Sequence, residues 1–303
     1  MQMGQELLQA SIVVQALGLG LRGVGSALAT LPGERVKIGR MIVARDLLIP
    51  MAVMSVLSFL HAPRAAIIGA TMLAISPGAL LFPQRLLGRR PDSDRLFGTS
   101  ALGVLSSIVT VPLWLPIVCW LFMSDASVAP SAVAQLVAVL FLLPLGLGAS
   151  LRRLEPRLMD IVSRPVIIAA DGLLWLALLP LAGDALAGVP QLGFAFIATV
   201  TCAPSIAVLA ARVTRISAGP ERSELAHMCS ARHPGLALLV AESNFAGETV
   251  LSAVVVTFIG GLAAAMLYTF LTRYSRIGPA TNITPALAIA SDEPSTPPAP
   301  GSG

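Results

Sequence analysis

The chain has 303 residues, of which 55% are hydrophobic and only 12% charged, whereas soluble domains average about 45–50% apolar and about 25% charged. With a mean hydropathy of +0.83, this composition excludes a soluble globular protein and marks nearly the whole chain as membrane domain. The formal net charge of +4 does not point to nucleic acid, because the basic residues sit in short connections rather than on one soluble face.

In chain order, apolar runs predict helices over 6–29, 40–60, 65–84, 96–123, 130–151, 164–183, 190–211, 224–243 and 249–271. Each is near the about 20 residues that cross a hydrocarbon core of about 30 Å, which gives an all-α polytopic protein with nine spans. The first ten residues carry Glu6 and no Lys or Arg, so they lack the positive flank of a cleaved signal peptide and the first helix is expected to stay. Basic residues crowd every second connection: Arg35, Lys37 and Arg40, then Arg85 to Arg95, then Arg152 to Arg164, then Arg212 to Arg222, then Arg273 and Arg276. The intervening connections carry Arg64 or nothing, and only Arg22, Arg45 and Arg232 fall within spans. The positive-inside rule therefore places the N-terminus outside and the C-terminus in the cytoplasm of a cell (inner) membrane. Residues 1–276 form the transmembrane domain, and the Pro- and Ser-rich 277–303 reads as a disordered cytoplasmic tail. Cys119, Cys202 and Cys229 are scattered through apolar segments, which fits neither a disulfide framework nor a paired-thiol metal site.

Two spans carry a Pro-Gly pair near their centres: Pro77-Gly78 in the third and Pro234-Gly235 in the eighth. Proline cannot donate the helical hydrogen bond and suits the first position of a new helix, while glycine admits irregular backbone between the halves. Each span is thus expected to be two half-helices. Unpaired backbone at mid-membrane depth costs several kcal/mol unless protein or a cavity satisfies it. Corresponding breaks in two halves of a chain mark a transporter site. The halves run over about 6–123 and 130–271, and counting back from each end pairs spans of opposite direction, so the repeats are inverted.

These residues resemble the bile acid:sodium symporter superfamily. The resemblance covers roughly 10–271 and rests on Ser76-Pro77-Gly78-Ala79, the hydroxyl-rich span from Thr99 through Ser106-Ser107 to Thr110 and Pro112, Leu143-Pro144 ahead of a basic loop, and Pro234-Gly235 with Glu242-Ser243-Asn244 beyond. It implies a secondary transporter lacking the family's first helix, with a core of crossing broken helices that moves against a panel domain. Sodium-coupled members resemble one another in a Ser-Asn pair after the first break, where this chain has Phe82-Pro83. They also share a Glu and a Gln before the second break, where it has Met228 and Arg232. An arginine supplies a fixed positive charge where sodium needs oxygen ligands. Coupling to protons, or no coupling, is therefore favoured over sodium, and no cofactor or metal is expected.

The expected substrate is a small organic anion. Arg232 is the deepest charge in the chain, and an intramembrane charge is a functional-site hypothesis by default, with a structural salt bridge as the alternative. Half-helices beginning at Gly78 and Pro234 would also aim their positive dipole ends at the crossing. His233 is a candidate coupling group beside Arg232. Ser100, Ser106, Ser107 and Thr110 offer hydroxyls to substrate or to helix packing, and Asn244 is a more distant contact. Asp171 is a second coupling candidate. Asp171 and Arg22 each sit about seven residues inside the cytoplasmic ends of their helices, where they are candidates for a mutual ion pair, and Arg45 is expected to snorkel. His227, Cys229 and His233 invite a metal reading, but the proline break and the helical spacing speak against it.

A passive channel or facilitator, or a membrane sensor, is the alternative. An intramembrane enzyme using Asp46 and Asp171 is disfavoured, because no protease or hydrolase motif accompanies them.

Overall fold

The computed structural model of the protein describes residues 2–23, 35–77, 94–122, 135, 137–193, 197, 232–244 and 248–274. Among these residues the regular structure is helical and there are no strands. Helix α1 is Gln2–Leu21. Helix α2 (Arg35–Val43) passes through a π-helical turn at Ala44–Leu48 into α3 (Ile49–Phe59). Helices α4 (Arg64–Ile75) and α5 (Asp94–Phe122) follow. A second π-turn, Ala138–Leu142, leads into α6 (Leu143–Leu154), and then come α7 (Pro156–Leu192), α8 (Pro234–Asn244) and α9 (Glu248–Tyr274).

Among the described residues, three helical segments are long and apolar enough to cross a membrane: Ile38–Phe59, Ala101–Phe122 and Pro156–Pro180. Their outward faces carry Leu47, Phe59, Leu113, Trp120, Ile161 and Leu179, all exposed. Such a surface is incompatible with water and suited to lipid. The chain is a helical membrane protein.

Each π-turn ends two residues before a proline, Pro50 in α3 and Pro144 in α6. In the first, the Ile49 N–H donates to the Ala44 carbonyl five residues back rather than to Arg45. Pro50 has no N–H to offer, so the carbonyls of Arg45 and Asp46 lose the donors that a regular helix would give them.

Helix α1 packs against α6 and α7 and reaches α8, while α9 packs against α4 and α7. At the α1–α6 crossing, Gly20 and Gly148 face each other so closely that a Cβ on either would strike the partner backbone. Small residues at such a point let two membrane helices approach. The buried cluster joins Leu8, Ile12 and Leu19 of α1 with Met72 of α4, Leu115 of α5 and Leu236 of α8. The hydrophobic interior is therefore continuous around the place where α4 ends and α8 begins.

Several expected boundaries shift. Helix α1 stops at Leu21, and Gly23 takes φ +97° in a turn, so Arg22 lies at the helix end and not seven residues inside it. Helix α7 runs straight through 184–189, where a connection was expected, because Gly188 there stays helical and Gly193, at φ +51°, ends it. Its start moves to Pro156, a residue that suits a first helical position, which puts Asp171 fifteen residues into the helix. The tail 277–303 lies outside the described residues.

Candidate functional site

Helix α4 ends at Ile75, and Ser76 turns extended with φ −66° and ψ 154°, the conformation a following proline favours. The eighth predicted span resumes as α8 at Pro234, with Arg232 and His233 in the non-helical stretch before it. The two breaks touch. The His233 N–H donates to the Pro77 carbonyl at 2.8 Å, and Arg232 Nη1 donates to the Ser76 carbonyl at 3.0 Å. Each bond joins residues 156 positions apart in sequence and satisfies a carbonyl that the first break had orphaned.

His233 also caps α8. Its Nδ1 accepts from the Gly235 N–H at 3.1 Å, one of the donors a helix start leaves unpaired. In the neutral ring the proton then sits on Nε2, which is buried and has no hydrogen-bond partner among the described residues. A second proton would have to enter at Nδ1, so charging the ring and capping the helix exclude one another in this arrangement.

Arg232 is 2% exposed. Its Nη2 donates to the Arg45 carbonyl at 2.8 Å, the acceptor that Pro50 and the π-turn release. The Asp46 carbonyl, freed by the same proline, accepts from Trp114 Nε1 of α5 at 2.8 Å. The π-turn and its proline thus present two backbone acceptors, and two side chains from distant parts of the chain fill them.

The side chains of Arg45 and Asp46 are buried too, at 1% and 5% exposure, so Arg45 does not snorkel. Arg45 Nε lies 2.8 Å from Asp46 Oδ1, an ionic contact whose angle is not that of an aligned hydrogen bond. The Arg45 guanidinium donates to the Gly103 carbonyl and fills the space beside Gly103, where any Cβ would collide with it. A glycine on α5 opens the slot that lets this arginine enter the protein. Asp46 Oδ1 is also 4.0 Å from Arg232 Nη1. Asp46 thus stands between two arginines, so the site carries less positive charge than expected from Arg232 and two helix N-termini. The C-terminal end of α4 is also present at the crossing, with its carbonyls turned to Arg232, and a helix C-terminus attracts cations.

The other predicted residues divide. Pro77, Arg232, His233, Pro234 and Gly235 come together at the crossing. Ser106 donates to the Gly103 carbonyl beside Arg45 at 3.0 Å, and Ser107 donates to Val104 within its own helix at 2.6 Å. Thr110 is near Asp46 on the wall of one cleft. Ser100 lies on α5. Asn244 ends α8, ten residues or about 15 Å beyond Pro234. Asp171 accepts from Gln15 of α1 at 3.3 Å. Gly78, Phe82, Pro83, His227, Met228 and Cys229 lie outside the described residues.

Sequence reasoning passed over Gly103 and Trp114, and it gave Arg45 and Asp46 no part in this site. The available signal was the Arg-Asp pair followed by Pro50 inside an apolar span, since two adjacent opposite charges at that depth need a buried counterpart.

No family model matches the chain, and no curated protein matches it.

Proposed function

We propose that the protein is a secondary active transporter of a small organic anion, working by alternating access across the cytoplasmic membrane, with the nine-span, inverted-repeat, core-and-panel architecture of the bile acid:sodium symporter superfamily that its sequence resembles. The observation that carries this reading is the contact between the two breaks, His233 N–H to the Pro77 carbonyl and Arg232 to the Ser76 carbonyl. Two interruptions 156 residues apart meet and satisfy each other, as crossing half-helices at a transport site do.

In this reading Arg232 is the anion anchor and Asp46 its resting counter-ion. Their 4.0 Å separation is looser than the about 2.7–2.9 Å of a closed charge-assisted bond. An incoming carboxylate can therefore displace Asp46 from Arg232 and leave it paired with Arg45 at 2.8 Å. Each arginine then holds a carboxylate of its own, which offsets the cost of keeping charges in a low-dielectric site.

The test is uptake of a panel of small carboxylates into proteoliposomes, with sodium, with a proton gradient and with neither. Concentrative, sodium-independent uptake that Arg232→Ala abolishes is expected. Strictly sodium-driven uptake overturns the coupling, and flux that only follows the substrate's own gradient identifies a facilitator. Unchanged transport in Arg232→Ala removes the anchor role.

A further inference from the structure

Helix α6 ends at Leu154 and α7 begins at Pro156, so the two meet in a corner at Glu155. The corner is pinned from inside. Arg152 Nη1 donates to the Leu21 carbonyl, where α1 ends, at 3.3 Å, and holds Asp160 of α7 at 2.5 Å. One half-buried arginine therefore ties three helices together at this level.

Three further arginines stand outside that knot. Arg153, Arg157 and Arg164 are exposed, and none of their guanidinium groups has a partner among the described residues. The acidic side chains of the same corner do not balance them, since Glu155 alone is open and Asp160 is already engaged by Arg152. The surface between these charges is apolar. Arg157, Ile161, Arg164 and Ile168 follow at i, i+4, i+7 and i+11, so they share one face of α7, and all four are exposed. Leu154 and Ile161 are each 74% exposed, which suits lipid and not water. Helix α7 is apolar enough to cross a membrane from Pro156 to Pro180, so its first turns stand where headgroups give way to acyl chains. Arg157 lies at that boundary, and Arg164, about 10 Å further along the axis, has a side chain long enough to reach back to it.

We infer that this corner binds an anionic phospholipid, with its phosphate among Arg153, Arg157 and Arg164 and its acyl chains along Leu154, Leu158 and Ile161. A soluble anion would use the arginines and leave the apolar side chains uncovered. A lipid with a cationic headgroup would bring a like charge to three unpaired arginines. Only a ligand that carries negative charge and hydrocarbon on one molecule satisfies both parts of the surface. The inference needs only that the chain spans a bilayer, so it stands whether or not the protein transports an anion.

The experiment uses the full chain in dodecylmaltoside micelles, titrated with dioleoylphosphatidylglycerol or dioleoylphosphatidylcholine, with bound lipid read by native mass spectrometry. Phosphatidylglycerol is expected to bind at least about five-fold more tightly than phosphatidylcholine, the effect of one basic side chain near an anionic headgroup. Arg157→Gln and Arg164→Gln should each lower phosphatidylglycerol binding about five-fold and leave phosphatidylcholine unchanged. Leu158→Ser with Ile161→Ser should weaken both lipids. Arg40→Gln, which removes an exposed arginine of α2, should change neither. All of these positions are on the surface, so the variants are expected to fold. Equal binding of the two lipids by the parent protein overturns the assignment. So does an Arg40→Gln effect as large as that of Arg157→Gln, which would mean net charge alone, or displacement of the lipid by inorganic phosphate beyond that by chloride at equal ionic strength.

Discussion

Replacing Arg232 with methionine keeps much of the volume and removes the guanidinium. Two bonds to buried carbonyls disappear, to Ser76 at 3.0 Å and Arg45 at 2.8 Å. Each charge-assisted bond is worth about 1.5–3 kcal/mol, so the gross loss is about 3–6 kcal/mol. Two terms reduce it. Asp46 keeps Arg45 at 2.8 Å, so its carboxylate is not stranded, and one charge fewer has to be kept out of water. The expected net loss is about 3 kcal/mol, near a hundred-fold in the folded-to-unfolded ratio. Reversible unfolding of the purified protein in mixed micelles, followed by helical circular dichroism, reads it directly. Arg232→Lys retains the charge but not the fork that reaches two carbonyls at once, and should fall between parent and methionine variant. If Arg232→Met unfolds within about 0.5 kcal/mol of the parent, the spread of a neutral surface substitution, the crossing is not held as described here.

Gly103→Ala should destabilise by about 2 kcal/mol through collision with the Arg45 guanidinium, yet cost much less in an Arg45→Met background. Additive effects in that double-mutant cycle would disprove the slot. Asp46→Asn removes the charge that competes for Arg232 and should tighten binding of the transported carboxylate about ten-fold by calorimetry, whereas weaker binding would count against the exchange of counter-ions. Gly148→Leu should force α1 and α6 apart at Gly20 and lower stability by about 1–3 kcal/mol in the same unfolding assay. An unaltered midpoint there would mean the helices are not in backbone contact.

The meeting of Pro77 with His233 was legible in the letters, because proline breaks in two apolar spans have few stable outcomes apart from facing each other. The membrane class was legible for the same reason: hydropathy depends on composition and not on packing. Arg45 was misread because a lone arginine within reach of a helix end has a cheap default, to stretch toward the interface. Choosing the inward rotamer instead depends on Gly103, 58 residues away, and on the angular offset that the π-turn introduces. Neither is visible in a hydropathy window. The end of α1 and the length of α7 depend on which glycines take positive φ, and Gly23 and Gly193 look no different in sequence from Gly18 or Gly188, which stay helical.

Pro50 has a consequence for how variation in this protein should be read. It touches neither Arg232 nor Trp114 through any polar atom of its own, and it acts by lacking a hydrogen. Every other amino acid would return an N–H to the ladder and reclaim a carbonyl that now serves a distant side chain. A substitution survey that ranks positions by proximity to charge would pass over it, yet the anchoring of the buried arginine to α2–α3 and of α5 through its indole both depend on the π-turn and that one residue. Exchange at Pro50 is therefore expected to weaken one of these two anchors without removing any charged group.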